Sequence, residues 1–110
     1  MQIIRGTTPT IEITVKSEID FSTIQQVWVY ITQQGKPKVD KFISDAVLEP
    51  ENSKISVRLS QEDTLALKSN ENVHFDTIFQ IRLLLNDGSA LATVGTKIKV
   101  FEIYKGGVIQ

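Results

Sequence analysis

Apolar and polar residues alternate with a period of two along most of this chain, and that period predicts strands, because successive side chains of an extended backbone point to opposite faces. Thr10–Lys16 (TIEITVK) sets Ile11, Ile13 and Val15 on one side and Glu12, Thr14 and Lys16 on the other. Ile24–Gln33 (IQQVWVYITQ) is rich in β-branched and aromatic residues, with Val27, Val29 and Ile31 on one face and Trp28 and Tyr30 on the other. Lys54–Ser60 (KISVRLS) turns Ile55, Val57 and Leu59 inward, and Val73–Leu85 reads as a long strand carrying Phe79, Ile81, Leu83 and Leu85 on one face. Met1–Ile4 is a short strand start, and Lys38–Ile43 is an edge strand of mixed polarity.

The breaks between these runs are as informative. Asn86-Asp87-Gly88 is the strongest hairpin signal, since glycine accepts positive φ without steric cost and Asn and Asp tolerate it. Beyond it, Ala90, Ala92, Val94, Ile98 and Val100 are expected to share one side, and Gly95 to mark a bulge. Gln34-Gly35-Lys36-Pro37 and Glu49-Pro50-Glu51-Asn52 read as turns, and Ile19 and Phe21 as plugs at one end of the core. Ser60-Gln61-Glu62-Asp63 reads as a helix start, with Ser60 as N-cap and acids in the first turn. Leu65 and Leu67 follow and Lys68-Ser69-Asn70 closes the turn, too short for a full helix. About seven short strands with one short helical turn predict an all-β fold, an antiparallel immunoglobulin-like β-sandwich; a small closed barrel is the alternative.

Length and composition narrow the class. The 110 residues make one domain, 1–110, able to bury roughly two-thirds of its unfolded surface. A net charge of −1 argues against a nucleic-acid partner, which a basic face would announce. The cluster Lys36, Lys38 and Lys41, with Asp40 inside it, reads as a solvated strand edge guarded against pairing. With no cysteine, disulfides, thiolate metal sites and Cys nucleophiles all drop out. The opening residues lack the apolar core of a signal peptide, and no apolar run approaches the ~18 residues of a membrane span, so a cytoplasmically made protein with no membrane partner is expected.

No catalytic constellation emerges. His74 is the one histidine; a Ser-His-Asp arrangement would have to use it with Asp76, and a strand histidine beside a loop reads more simply as solvated. One imidazole cannot furnish a histidine metal site. Glu62-Asp63 reads as a capping pair, Glu49 and Glu51 as hydrated turn residues, and Asn86-Asp87-Gly88 lacks the alternating oxygen donors of a calcium loop. The expectation is a non-enzyme with no cofactor.

Trp28 and Tyr30, two apart on one strand face, admit two readings. They could form an aromatic platform for a sugar or a protein partner. A buried tryptophan on a central sandwich strand is the commoner arrangement, and would leave Val27, Val29 and Ile31 outside needing a cover, such as another subunit. The two ends supply further candidates: Ile3 and Ile4, and Val108 and Ile109, are apolar segments set off by glycine. Such ends fray unless tied down, and a neighbouring chain ordering them by strand addition is the expected assembly mode.

Several segments together resemble a family. Ile4-Arg5-Gly6-Thr7-Thr8-Pro9-Thr10, Val27-Trp28-Val29, Leu59-Ser60-Gln61-Glu62-Asp63-Thr64-Leu65, Asp87-Gly88 and Lys105-Gly106-Gly107-Val108-Ile109 look like small uncharacterised proteins of phages and prophages of Firmicutes. The layout is also similar to the N-terminal sandwich of phage baseplate upper proteins. The resemblance implies a virion or tail-assembly component, made in the host cytoplasm, that carries no catalytic residues. Its partners would be other virion or tail proteins, with a homo-oligomer possible. A carbohydrate-binding module using Trp28 and Tyr30 as its platform is the alternative function.

Overall fold

The computed structural model describes residues 1–15, 19–70, 75–93, 95–103 and 107–109. Among them nine strands form two sheets: β1 (Gln2–Ile4), β2 (Thr10–Thr14), β3 (Ile24–Gln33), β4 (Lys36–Ile43), β5 (Val47–Glu49), β6 (Lys54–Arg58), β7 (Thr77–Leu85), β8 (Ala90–Ala92) and β9 (Thr96–Phe101). The larger sheet runs β1-β9-β7-β3-β4, with β8 also on β7, and the smaller runs β2-β6-β5. The chain is an all-β sandwich. Two details differ from the sequence expectation: there are nine described strands, and β1 runs parallel to β9, Ile3 lying opposite Val100.

One core lies between the sheets, and the period-two residues build it. Val27, Val29 and Ile31 of β3 and Phe79, Ile81 and Leu83 of β7 share one core cluster with Ile11, Ile13, Ile55 and Val57 of the smaller sheet and with Leu59 just after β6. Full burial of one such aliphatic side chain contributes about 1.5–3 kcal/mol, so this contact holds the layers together. Phe21 is buried and Ile19 packs against the same cluster, closing one end as expected.

The connections follow their local chemistry. Gln34 and Gly35 both have positive φ, 54° and 74°, which suits the right-handed twist of the β3–β4 hairpin. The Asn86-Asp87-Gly88 turn closes with Gly88 at φ 87° and its N–H donating to the Leu85 carbonyl (3.0 Å). Ser60 caps the helix α1 (Gln61–Leu65): its hydroxyl accepts from the Asp63 N–H (3.1 Å), while the Asp63 carboxylate accepts from the Ser60 N–H (2.9 Å). That reciprocal box is the one the sequence predicts.

The return from the hairpin departs from the simple alternation. Leu91 lies opposite Leu83 and Ala92 opposite Arg82, whereas Thr96 lies opposite Phe79, a register shifted by one residue. The extra residue reverses the parity, so Leu91 faces the core before the break and Ile98 and Val100 face it after. Ala90 and Ala92 are exposed, correcting the expectation that they share a side with Ile98 and Val100. Gly95 sits at the break as expected; a Cβ there would lie 2.7 Å from Ile78 Cγ2. Val73 and Val94, assigned to strands from the sequence, lie outside the described residues, as does His74.

The edge strand β4 carries three separate guards. Pro37 lacks an N–H, Lys38 is the extra residue where the β3 register slips, and Lys41 stands opposite buried Val29, pointing inward. Lys41 ends in an ion pair with Asp63 of α1. The edge is therefore tied to the helix and ill suited to accept another strand.

Candidate functional site

Among the described residues, no second layer covers the outer face of the larger sheet. Register fixes what stands there, because residues opposite one another in an antiparallel pair share a face. One row reads Ala92, Arg82, Trp28, Phe42 across β8, β7, β3 and β4; the next reads Gln80, Tyr30, Asp40 across β7, β3 and β4. Since Val27, Val29 and Ile31 are in the core, Trp28 and Tyr30 face out, which overturns the buried-tryptophan reading.

Trp28 is 37% exposed and Phe42 46%. Their ring centroids are 6.0 Å apart with planes tilted by 57°, within the range of favourable aromatic contacts. The Trp28 indole N–H donates to Gln26 Oε1 (3.1 Å), and the Gln80 amide N–H donates to the Thr93 carbonyl (2.7 Å). Gln26, Trp28, Tyr30, Asp40, Arg82 and Leu84 are among the residues around a depression of about 650 Å3. Asp40 and Arg82, exposed at opposite corners of the aromatic pair, have no ion-pair or hydrogen-bond partner among the described residues.

A second depression, of about 450 Å3, lies beside α1 and is lined by Thr8, Lys41, Phe42, Ser60, Gln61 and Val108, among others. Partial burial raises the Asp63 carboxyl, but the Lys41 ammonium and the Ser60 N–H and hydroxyl outweigh that and hold it below the usual aspartate range. These contacts are structural: they cap α1 and tether β4. Elsewhere, the Ile103 N–H and the Arg5 guanidinium lower the Glu102 carboxyl. No group of three or more His, Cys, Asp or Glu able to hold a metal occurs among the described residues.

The residues singled out from the sequence fall in three places. Trp28 and Tyr30 come together on the outer face, and Ile4, 50% exposed, lies at the far edge of that face. Ile3 is 1% exposed and belongs to the core, so it offers nothing to a partner. β9 of the same chain orders Gln2–Ile4, which corrects the expectation that a neighbouring chain does so. Val108 and Ile109 are exposed, but the Ile109 N–H and C=O are both bonded to the Gln61 side-chain amide (2.7 and 3.0 Å), so the segment is held within the chain.

Phe42, Asp40 and Arg82 went unnoticed as site residues in the sequence. The signal was the opposite parity of Val39 and Ile43: if those face the core, Asp40 and Phe42 must face away. No described helix is long and apolar enough to cross a membrane. Compared with known proteins, the chain matches no family model and no curated sequence.

Proposed function

We propose that this chain is a non-enzymatic adaptor of a phage or prophage particle, working through protein–protein contacts made by the outer face of its larger sheet. The observation that carries the contact role is the exposed Trp28–Phe42 pair on a sheet face that no described layer covers, flanked by Arg82 and Asp40, which have no partner among the described residues. Tryptophan, tyrosine and arginine dominate the energetic centres of protein interfaces, where a large apolar ring and a fixed charge combine affinity with specificity. The particle setting rests on the resemblance of the turn and strand segments to phage proteins. The chain would be made in the host cytoplasm and built into the virion beside other virion or tail proteins. The test is a photo-crosslinking amino acid at Phe42, expressed from an induced prophage. Crosslinks to a second virion protein, or to another copy, in purified particles are expected. Particles that lack the chain would sink the proposal.

The alternative is carbohydrate binding, and one observation favours it: Gln26, Asp40 and Arg82 line the same depression as Trp28 and Tyr30, mixing stacking surfaces with hydrogen-bonding groups. Against it, the ring packed on Trp28 is that of Phe42, and its 57° tilt leaves those two without a common plane to offer a sugar. Trp28 is the one tryptophan, so its emission reports this face directly. A shift on adding glycans would support sugar binding, and an unchanged spectrum would remove it.

A further inference from the structure

Resting on the adaptor reading above, we infer that the outer face docks a second copy of this chain, the two larger sheets meeting face to face about a two-fold axis. The argument is one of self-complementarity. Arg82 and Asp40 carry opposite charges, are both exposed, and lack partners among the described residues. They stand two strands apart laterally and one alternate position apart along the strands, about 12 Å between backbones by standard sheet spacings, with the Trp28 and Tyr30 strand between them, and they do not pair with each other. The midpoint between them falls on β3, between Trp28 and Tyr30.

An axis lying in the interface over that midpoint, perpendicular to the line joining the two charges, sets each Arg82 against the partner's Asp40. One operation therefore satisfies both charges twice, as an isologous contact requires. The same rotation brings the two Trp28–Phe42 pairs together near the axis, and each exposed Phe42 meets the depression beside the other copy's Trp28 and Gln26. Strands of the two copies would cross at about 70°, toward the orthogonal class of sheet packing.

The size fits as well. Five strands across, β8 continuing the line of β9 along β7, and the ten residues of β3 along give a face of about 25 by 30 Å, or about 750 Å2, close to the roughly 800 Å2 each partner contributes to a stable interface. The competing route, strand addition at β4, is the one that Pro37, the Lys38 bulge and inward Lys41 obstruct.

Sedimentation equilibrium of the full chain tests this. The wild type is expected to dimerise. Arg82→Asp and Asp40→Arg each turn both symmetric pairs repulsive and weaken the dimer by at least about tenfold, and the combined R82D/D40R recovers it to within about threefold. A chain that stays monomeric at about 1 mM overturns the inference, and so does a dimer indifferent to either reversal. Dilution of the wild type gives a check free of any variant: Trp28 emission should move to the red as the dimer separates, and a constant spectrum counts against it. A monomer whose Phe42 position still crosslinks to a different virion protein removes the second copy as partner and leaves the adaptor proposal intact.

Discussion

Gln33 offers the sharpest quantitative test of how the larger sheet is held. It occupies the inward parity of β3 after Val27, Val29 and Ile31, yet it is polar and only 2% exposed. Its amide N–H groups donate to the Lys68 carbonyl (2.8 Å) and the Thr77 hydroxyl (2.9 Å), and its oxygen accepts from the Lys68 N–H (2.8 Å). One side chain thus pins the segment after α1 to the ends of β3 and β7. Replacing it with leucine keeps the volume but strands three polar groups. Each buried group left without a partner costs about 1–3 kcal/mol. Thr77 is fully buried and bears the higher figure, while the Lys68 backbone is nearer solvent and bears the lower. Relief from desolvating the amide offsets part of the sum. Gln33→Leu is therefore expected to cost about 3 kcal/mol in urea unfolding, with an unchanged denaturant slope. Adding Thr77→Val removes the most costly of the stranded groups and should recover about 2 kcal/mol. A loss below about 0.5 kcal/mol for the single variant would refute the reasoning, because it would mean that water satisfies all three groups.

Three further outcomes follow from other parts of the fold. The Asp63 carboxyl is held below its ordinary range, so its stabilisation is complete above the unfolded aspartate value and is lost as pH falls through the folded one. The difference in melting temperature between wild type and Asp63→Asn should therefore be largest near neutrality and shrink below about pH 4; a constant difference would contradict it. Gly95→Ala would set a Cβ against Ile78 Cγ2, costing about 1–3 kcal/mol, and Ile78→Leu, which removes that methyl, should restore part of the loss in thermal unfolding. Gln61→Ala frees both backbone groups of Ile109, so hydrogen exchange at the Ile109 amide should accelerate while global stability moves by no more than about 1 kcal/mol.

The strand faces were legible because the apolar residues keep a period of two: the rows Ile11–Ile13, Val27–Val29–Ile31, Ile55–Val57–Leu59 and Phe79–Ile81–Leu83 all lie in the core. The capping box was legible because Ser60 and Asp63 meet within four residues. Where long-range order decided the outcome, local pattern failed. β3 bears large side chains on both faces, and only the position of the smaller sheet makes Val29 internal and Trp28 external. One extra residue near Gly95 reversed the parity of Ala90 and Ala92, an effect that no composition reveals. β5 was missed because Val47–Glu49 is three residues long and finds its place only by pairing with β6. The outer-face cluster assembles residues from β3, β4 and β7, and sheet order, unlike strand existence, is not written in any one segment.

The parallel pairing of β1 with β9 has a consequence for synthesis. Ile3 becomes buried only against a strand whose residues, Thr96–Phe101, emerge from the ribosome more than ninety positions later. At about 5–20 residues per second, the first apolar segment waits several seconds with its natural neighbour not yet made. Closing so long a loop is entropically the slowest kind of contact, so Gln2–Ile4, made long before β9, should be among the last segments to find its place.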